Sequence, residues 1–223
     1  MVILAVLLGI LPGFVWLMFY LQEDEHPEPK KMIAKVFFAG VLMTAVIVIL
    51  QFLFQEASKL IAIPRRDFVS IIVFAGIEEI FKFLAAYWVI RRSKFFDEPV
   101  DAMIYMIVAA LGVATVENVL IAYNMLQTGL NEVFNTITLR FLGATLLHTL
   151  SSATVGYAWA VGIMRKRIGL WVFFGLINAI ALHSVFNYLI MIFDRQILIY
   201  PTLFLIVAAF FIFYDFEKLK KHG

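Results

Sequence analysis

The sequence predicts an all-α fold, a polytopic transmembrane helical bundle of about seven spans, with six to eight allowed by the length. Three observations carry that expectation. The chain is 223 residues long, 63% hydrophobic and only 15% charged, whereas a soluble domain is about 45–50% apolar and about 25% charged. Its mean hydropathy is +0.95. Seven apolar stretches, at 2–22, 33–54, 68–90, 101–123, 137–163, 169–192 and 197–214, are each long enough to span the hydrocarbon. Each runs on continuously, without the short alternating strands of a β-barrel, so helices are the spanning form.

Taken in order, the first stretch lacks a basic n-region and a small-residue cleavage site, and reads as a span rather than a signal peptide. Pro12 and Gly13 should loosen it, which neighbouring helices tolerate. A polar, turn-rich loop, QEDEHPEPKK (22–31), leads to the second stretch. The third contains AGIEEIFKFLAAYWVI (75–90), where Glu78, Glu79 and Lys82 interrupt an otherwise apolar run. The fourth is entered through FFDEPVDAMIY (95–105), where Asp97 or Glu98 beside Pro99 reads as a helix-start signal. The fifth is the least clean, and the sixth contains ALHSVFNY (181–188). No repeat stands out, and residues 1–223 read as one integral membrane domain.

Loop charges set the expected orientation. Lys30, Lys31, Lys35, Arg91, Arg92, Lys94, Arg165, Lys166, Arg167, Lys218, Lys220 and Lys221 fall on one side. Lys59, Arg65, Arg66, Arg140 and Arg195 fall on the other. That is 12 against 5, with Lys82 inside the third stretch completing the 18. The positive-inside rule then puts the amino terminus outside and the carboxyl terminus in the cytoplasm of a multi-pass cell-membrane protein, although the loop 55–67 dissents. A net charge of +2 argues against a nucleic-acid partner, and the absence of cysteine excludes disulfides and thiol chemistry.

Charged residues inside the spans are where function is expected. If ionised and lipid-facing, Glu78, Glu79 and Lys82 would together cost about 10 kcal/mol. They must face the bundle interior or a wet cavity, where Lys82 can pair with Glu78 at i,i+4 or Glu79 at i,i+3. Other stretches bring matching groups: Glu117 and Asn118 in LGVATVENVL (111–120), His148 in the fifth stretch, and His183 with Asn187 on one face of the sixth. With the expected orientation, all of them meet in the central-to-outer part of the membrane. Plainer readings stand beside these. The acids and Lys82 can be a structural buried pair, Glu117–Asn118 a helix-end cap, and His148 an interhelical hydrogen-bond donor. Ser151, Ser152 and Thr154 read as small packing residues, and His26 and His222 as solvated.

This set is suited to activating water. Glu78 or Glu79 can take a proton from it as general base, and His183 can orient the water or protonate the leaving amine. Asn187 offers an amide donor to a developing oxyanion. The result is peptide hydrolysis without a covalent intermediate and without a cofactor or metal. The signatures H-E-x-x-H and G-x-S-x-G are absent. A zinc site from Glu78, Glu79, His148 and His183 remains an alternative chemistry. A transporter or a non-catalytic scaffold remains the alternative function.

The chain resembles the PrsW family of intramembrane proteases, a relation of the CPBP group that includes the type II CAAX prenyl endopeptidases. The residues that carry the resemblance are LPG (11–13), HPEPKKMIAKVFFAG (26–40), EEIFKF (78–83), FDEPVDAMIYMIVAALGVATVENVL (96–120), Arg140, His148 and LHSVFNY (182–188). The resemblance implies a glutamate-type protease with a CPBP-like catalytic core in the third to sixth stretches. Its substrate would be a membrane-anchored anti-sigma factor, cleaved at site 1 near the extracytoplasmic face. Glu78 and Glu79 match the family's acidic pair and His183 its last histidine. Glu117, His148 and, in the F-D-E element, Glu98 also fall on motif positions. Ala102 departs from an Asp-Gly continuation at a helix entry, away from the expected site.

Overall fold

A computed structural model of the chain describes residues 2–22, 26–60, 67–193 and 199–220. Arg65, Arg66, Arg195, Lys221 and His222, which entered the sequence reading, lie outside the described residues. Among the described residues there is no strand, and eight α-helices follow one another: α1 (Val2–Tyr20), α2 (Lys30–Leu60), α3 (Phe68–Ile90), α4 (Asp101–Asn124), α5 (Leu130–Arg140), α6 (Leu146–Met164), α7 (Ile168–Ile192) and α8 (Ile199–Lys220). A 3₁₀ turn, Leu126–Thr128, leads into α5, and a π turn, Phe141–Thr145, joins α5 to α6 without a break. The eight helices are therefore seven rods, which answer to the seven apolar stretches.

Five of them, α1, α2, α4, α7 and α8, are long and apolar enough to cross a membrane, and the chain is a polytopic helical membrane protein. The other two rods are long as well. In α3 the charges Glu78, Glu79 and Lys82 interrupt the apolar run, and in α6 His148, Thr149, Ser151, Ser152 and Thr154 dilute it. Both pack against α7.

The axis of the bundle is α4. Every residue from Asp101 to Thr115 is buried, as expected for a helix apolar on all sides. Helices α1, α2, α3 and α6 pack around it. Close approach is built in where α2 crosses α4. A Cβ on Gly40 would lie 2.1 Å from the Ala109 carbonyl oxygen, and one on Gly112 would lie 2.2 Å from that of Phe37. Small residues that let backbones approach are how helices associate where lipid removes the hydrophobic drive. The outer faces carry Phe38, Leu42, Phe52, Phe173, Phe210 and Phe211, all exposed to the surrounding lipid.

Several helix ends, and one helix-start signal, differ from the sequence reading. Helix α2 runs on to Leu60, through a Lys59–Glu56 ion pair of 2.6 Å, and its 31 residues measure about 47 Å, beyond the hydrocarbon thickness. The fifth rod begins at Leu130, not 137, because LNEVFNTITLR is amphipathic: Val133 and Ile137, one turn apart, bury against Ala5 and Ala122. The start of α4 is held by neither Asp97 nor Glu98. Asp101 reaches back, and its Oδ2 accepts the backbone N–H groups of Asp97 (3.0 Å) and Glu98 (2.8 Å). Pro12 lies inside α1, which is helical from Val2 to Tyr20 and turns Pro12 and Gly13 inward.

Candidate active site

Toward one end of the bundle, α3, α4, the α5–α6 rod and α7 bring their polar residues together. Glu78 lies ten residues from the start of α3, Glu117 seven from the end of α4, and His183 nine from the end of α7. At 1.5 Å per residue these are depths of about 15, 10 and 13 Å, so one level of the bundle holds them all.

Glu79 is fully buried and heavily bonded. Its Oε1 accepts from Lys82 Nζ (2.8 Å), Ser151 Oγ (3.0 Å) and His183 Nδ1 (2.7 Å), and its Oε2 lies 3.4 Å from Ser152 Oγ. Lys82, also fully buried, donates in addition to His148 Nδ1 at 2.6 Å. Because an ammonium can only donate, Nδ1 of His148 is the acceptor. Nε2–H of the same ring then donates to Glu117 Oε2, 3.1 Å away. By the same logic His183 gives its Nδ1 proton to Glu79, which leaves Nε2 as the free nitrogen of that ring. The two imidazoles meet edge to face, with centroids 5.2 Å apart.

Its neighbour Glu78 is placed differently. Oε1 accepts from Gln51 Nε2 on α2 at 2.8 Å. Oε2 is buried and has no hydrogen-bond partner among the described residues. It lies 3.6 Å from His183 Nε2, 3.8 Å from His148 Nδ1 and 3.9 Å from Lys82 Nζ. The side chain keeps 12% of its surface exposed, against none for Glu79. A buried carboxylate oxygen without a donor is expensive, and here it is aimed between two imidazole nitrogens.

Arg140 closes the cluster at the π turn. Its guanidinium donates to Glu117 Oε2 (3.0 Å) and Asn118 Oδ1 (2.6 Å), and Asn118 in turn donates to Thr145 Oγ1 (3.0 Å). The π turn, an insertion often found at functional sites, has its Phe141 carbonyl bonded by Trp16 Nε1 at 2.9 Å. Three carboxylates, Glu78, Glu79 and Glu117, face two fixed cations, Lys82 and Arg140. With both imidazoles neutral the cluster can take up one further positive charge.

The arrangement gathers Glu78, Glu79, Lys82, Glu117, Asn118, His148 and His183. Asn187 is half-buried one turn beyond His183 and forms none of the cluster's hydrogen bonds. Glu98 is not brought to the cluster. It lies beyond the opposite end of α4, 19 residues or about 28 Å along the axis from Glu117, where its carboxylate meets His26 at 2.7 Å. Four residues were not foreseen as parts of the site. Ser151 and Ser152 are not mere spacers; at three and four residues from His148 they share its face and hold Glu79. Arg140 belongs to the cluster, not to the loop charges. Gln51 carried a signal, as the single polar residue in AVIVILQFLF (45–54).

Residues 28–214 match the family described as "PrsW family intramembrane metalloprotease". The chain belongs to the PrsW family. It is similar to the protease PrsW of Clostridioides difficile (strain 630), 26% identical over 227 residues that cover 97% of this chain and 92% of that one. The protease PrsW of Geobacillus kaustophilus (strain HTA426) is 29% identical over 191 residues, 84% of this chain and 80% of the relative. That of Bacillus subtilis (strain 168) is 31% identical over 113 residues, half of each chain. No solved structure matches. As a PrsW-family member the chain is an intramembrane protease, and the buried polar cluster is its candidate active site.

Proposed function

We propose that the protein hydrolyses a peptide bond of a membrane-anchored protein with water activated at Glu78 Oε2, and that its substrate is an anti-sigma factor cut near the extracytoplasmic face. The observation that carries this reading is the division of labour between adjacent acids. Glu79 spends both oxygens on donors, whereas Glu78 keeps one buried oxygen unpartnered beside two imidazoles. Glu78 is therefore the base and Glu79 its support, a choice the sequence left open. Oε2 takes a proton from water, and the water oxygen attacks the scissile carbonyl carbon. The C–N bond then breaks as the amine leaves with a proton, from Glu78 or from a protonated His183 Nε2. Glu79 fixes the His183 ring through Nδ1–H and steadies its positive charge, as a carboxylate does for the imidazole of a catalytic triad. Asn187, one turn along α7, is the donor for the oxyanion.

The family's description as metalloproteases favours a second reading of the same residues, and the residues fit it. Glu78, His148 and His183 offer three donor atoms within 4.8 Å of one another. Each ring also gives its other nitrogen to a carboxylate, Glu117 or Glu79, the support that metal-ligating histidines almost always have. These three would hold a divalent cation such as zinc. When bound, such an ion polarises a carbonyl and makes its water a nucleophile at neutral pH. Lys82 would then keep Glu79 as its partner and yield His148 Nδ1.

The substrate class follows the family resemblance. An amino terminus outside and a carboxyl terminus in the cytoplasm follow from the loop charges, whose asymmetry rises from 12:5 to 12:4 once Arg140 is counted with the site. Such an orientation sets the cluster toward the outer leaflet, in keeping with cleavage on that side.

In vesicles holding the purified protein and a membrane-anchored anti-sigma factor, Glu78→Gln is expected to lower kcat about 100- to 10,000-fold. Cleavage at the wild-type rate would contradict the reading. Activity that survives 1,10-phenanthroline supports the metal-free base; activity lost to the chelator and restored by zinc supports the second reading.

A further inference from the structure

Gln51 belongs to none of the helices that supply the rest of the cluster. It sits in a stretch of α2 whose neighbours Ile49, Phe52 and Leu53 are exposed to lipid. An amide there is unfavourable unless it is bonded, and it turns inward to a single acceptor, Glu78 Oε1, at 2.8 Å. The consequence falls on the other oxygen. Lys82 is one turn along α3 from Glu78, at the i,i+4 spacing that favours an ion pair, yet the two stand 3.9 Å apart. The Gln51 bond occupies one oxygen and fixes the plane of the carboxylate, so that Oε2 remains near His183 Nε2 and His148 Nδ1.

We infer that Gln51 is a positioning residue for peptide hydrolysis: it tethers one oxygen of Glu78 and so holds the other toward the imidazoles instead of letting it close on Lys82. The inference rests on the reading of Glu78 Oε2 as the group that meets water. It also makes the seating of α2 against α3 a condition of the reactive geometry, because no other side chain among the described residues holds Oε1.

Gln51→Met keeps length and shape and removes the donor. In reconstituted vesicles it is expected to lower kcat about 10- to 100-fold, the effect of one hydrogen bond to a charged group. KM should stay within about twofold in the folded variant, a split between kcat and KM that a packing role would not produce. Gln51→Asn keeps the amide but is one methylene short, and serves equally where the Met variant does not fold: the same fall in kcat is expected. A wild-type kcat in either variant, beside an inactive Glu78→Gln, overturns the positioning role and leaves Glu78 standing. An active Glu78→Gln overturns the reading on which both rest.

Discussion

Helix α4 has a polar cluster at each end, and the two draw on similar residues. At the Asp101 end, Glu28, Asp97 and Asp101 bring carboxylate oxygens within 4.8 Å of one another. Asp101 spends Oδ2 on two backbone N–H groups, and Glu28 accepts the Tyr105 hydroxyl at 2.5 Å. The nearby imidazole, His26, is largely exposed and pairs with Glu98. At the Glu117 end the acids meet side chains from separate helices, two buried imidazoles lie between them, and one carboxylate oxygen is left without a donor. Acids that complete backbone hydrogen bonding hold a helix start in place. Acids that leave an oxygen beside imidazole can move a proton. A count of carboxylates does not separate the two ends; the partners do.

The comparison predicts opposite outcomes for matched substitutions. The largest stability effect belongs to Lys82→Met, which leaves Glu79 buried without its cation. Breaking such a pair costs about 3–5 kcal/mol, so the unfolding midpoint in detergent should fall sharply and cleavage should be lost with it. At the other end Asp101→Ala removes a cap-like contact worth about 0.5–2 kcal/mol. A small fall in midpoint is expected, with kcat within about twofold of wild type. A loss of cleavage in folded Asp101→Ala would erase the contrast and draw the acidic end into the reaction.

Much of the polar cluster at the Glu117 end was legible because lipid makes intramembrane charge costly. Glu78, Glu79, Lys82 and Glu117 were conspicuous against apolar surroundings, and helical spacing set His183 apart. The partners were harder to see for reasons of chemistry and geometry. Gln51 is uncharged, so it costs little to insert and gives no sign of which helix it faces. Ser151 and Ser152 are as suited to close packing as to holding a carboxylate. Arg140 passed for a loop charge because amphipathic α5 hid the true start of its rod. Glu98 was placed with the site by motif order, which does not say at which end of α4 a motif residue stands.

The central claim is that Glu78 and Glu79, adjacent in sequence, divide the work: one faces the reaction, the other holds the helices. Thermal unfolding of Glu78→Gln beside Glu79→Gln, in the same vesicles, tests it most directly. The Glu79 variant should unfold at a clearly lower temperature, because Lys82, His183, Ser151 and Ser152 lose their shared acceptor. The Glu78 variant should unfold at or above the wild-type temperature, because its unpartnered oxygen contributes nothing to the folded state. Equal loss of stability in the two, or a larger loss in the Glu78 variant, would contradict the account.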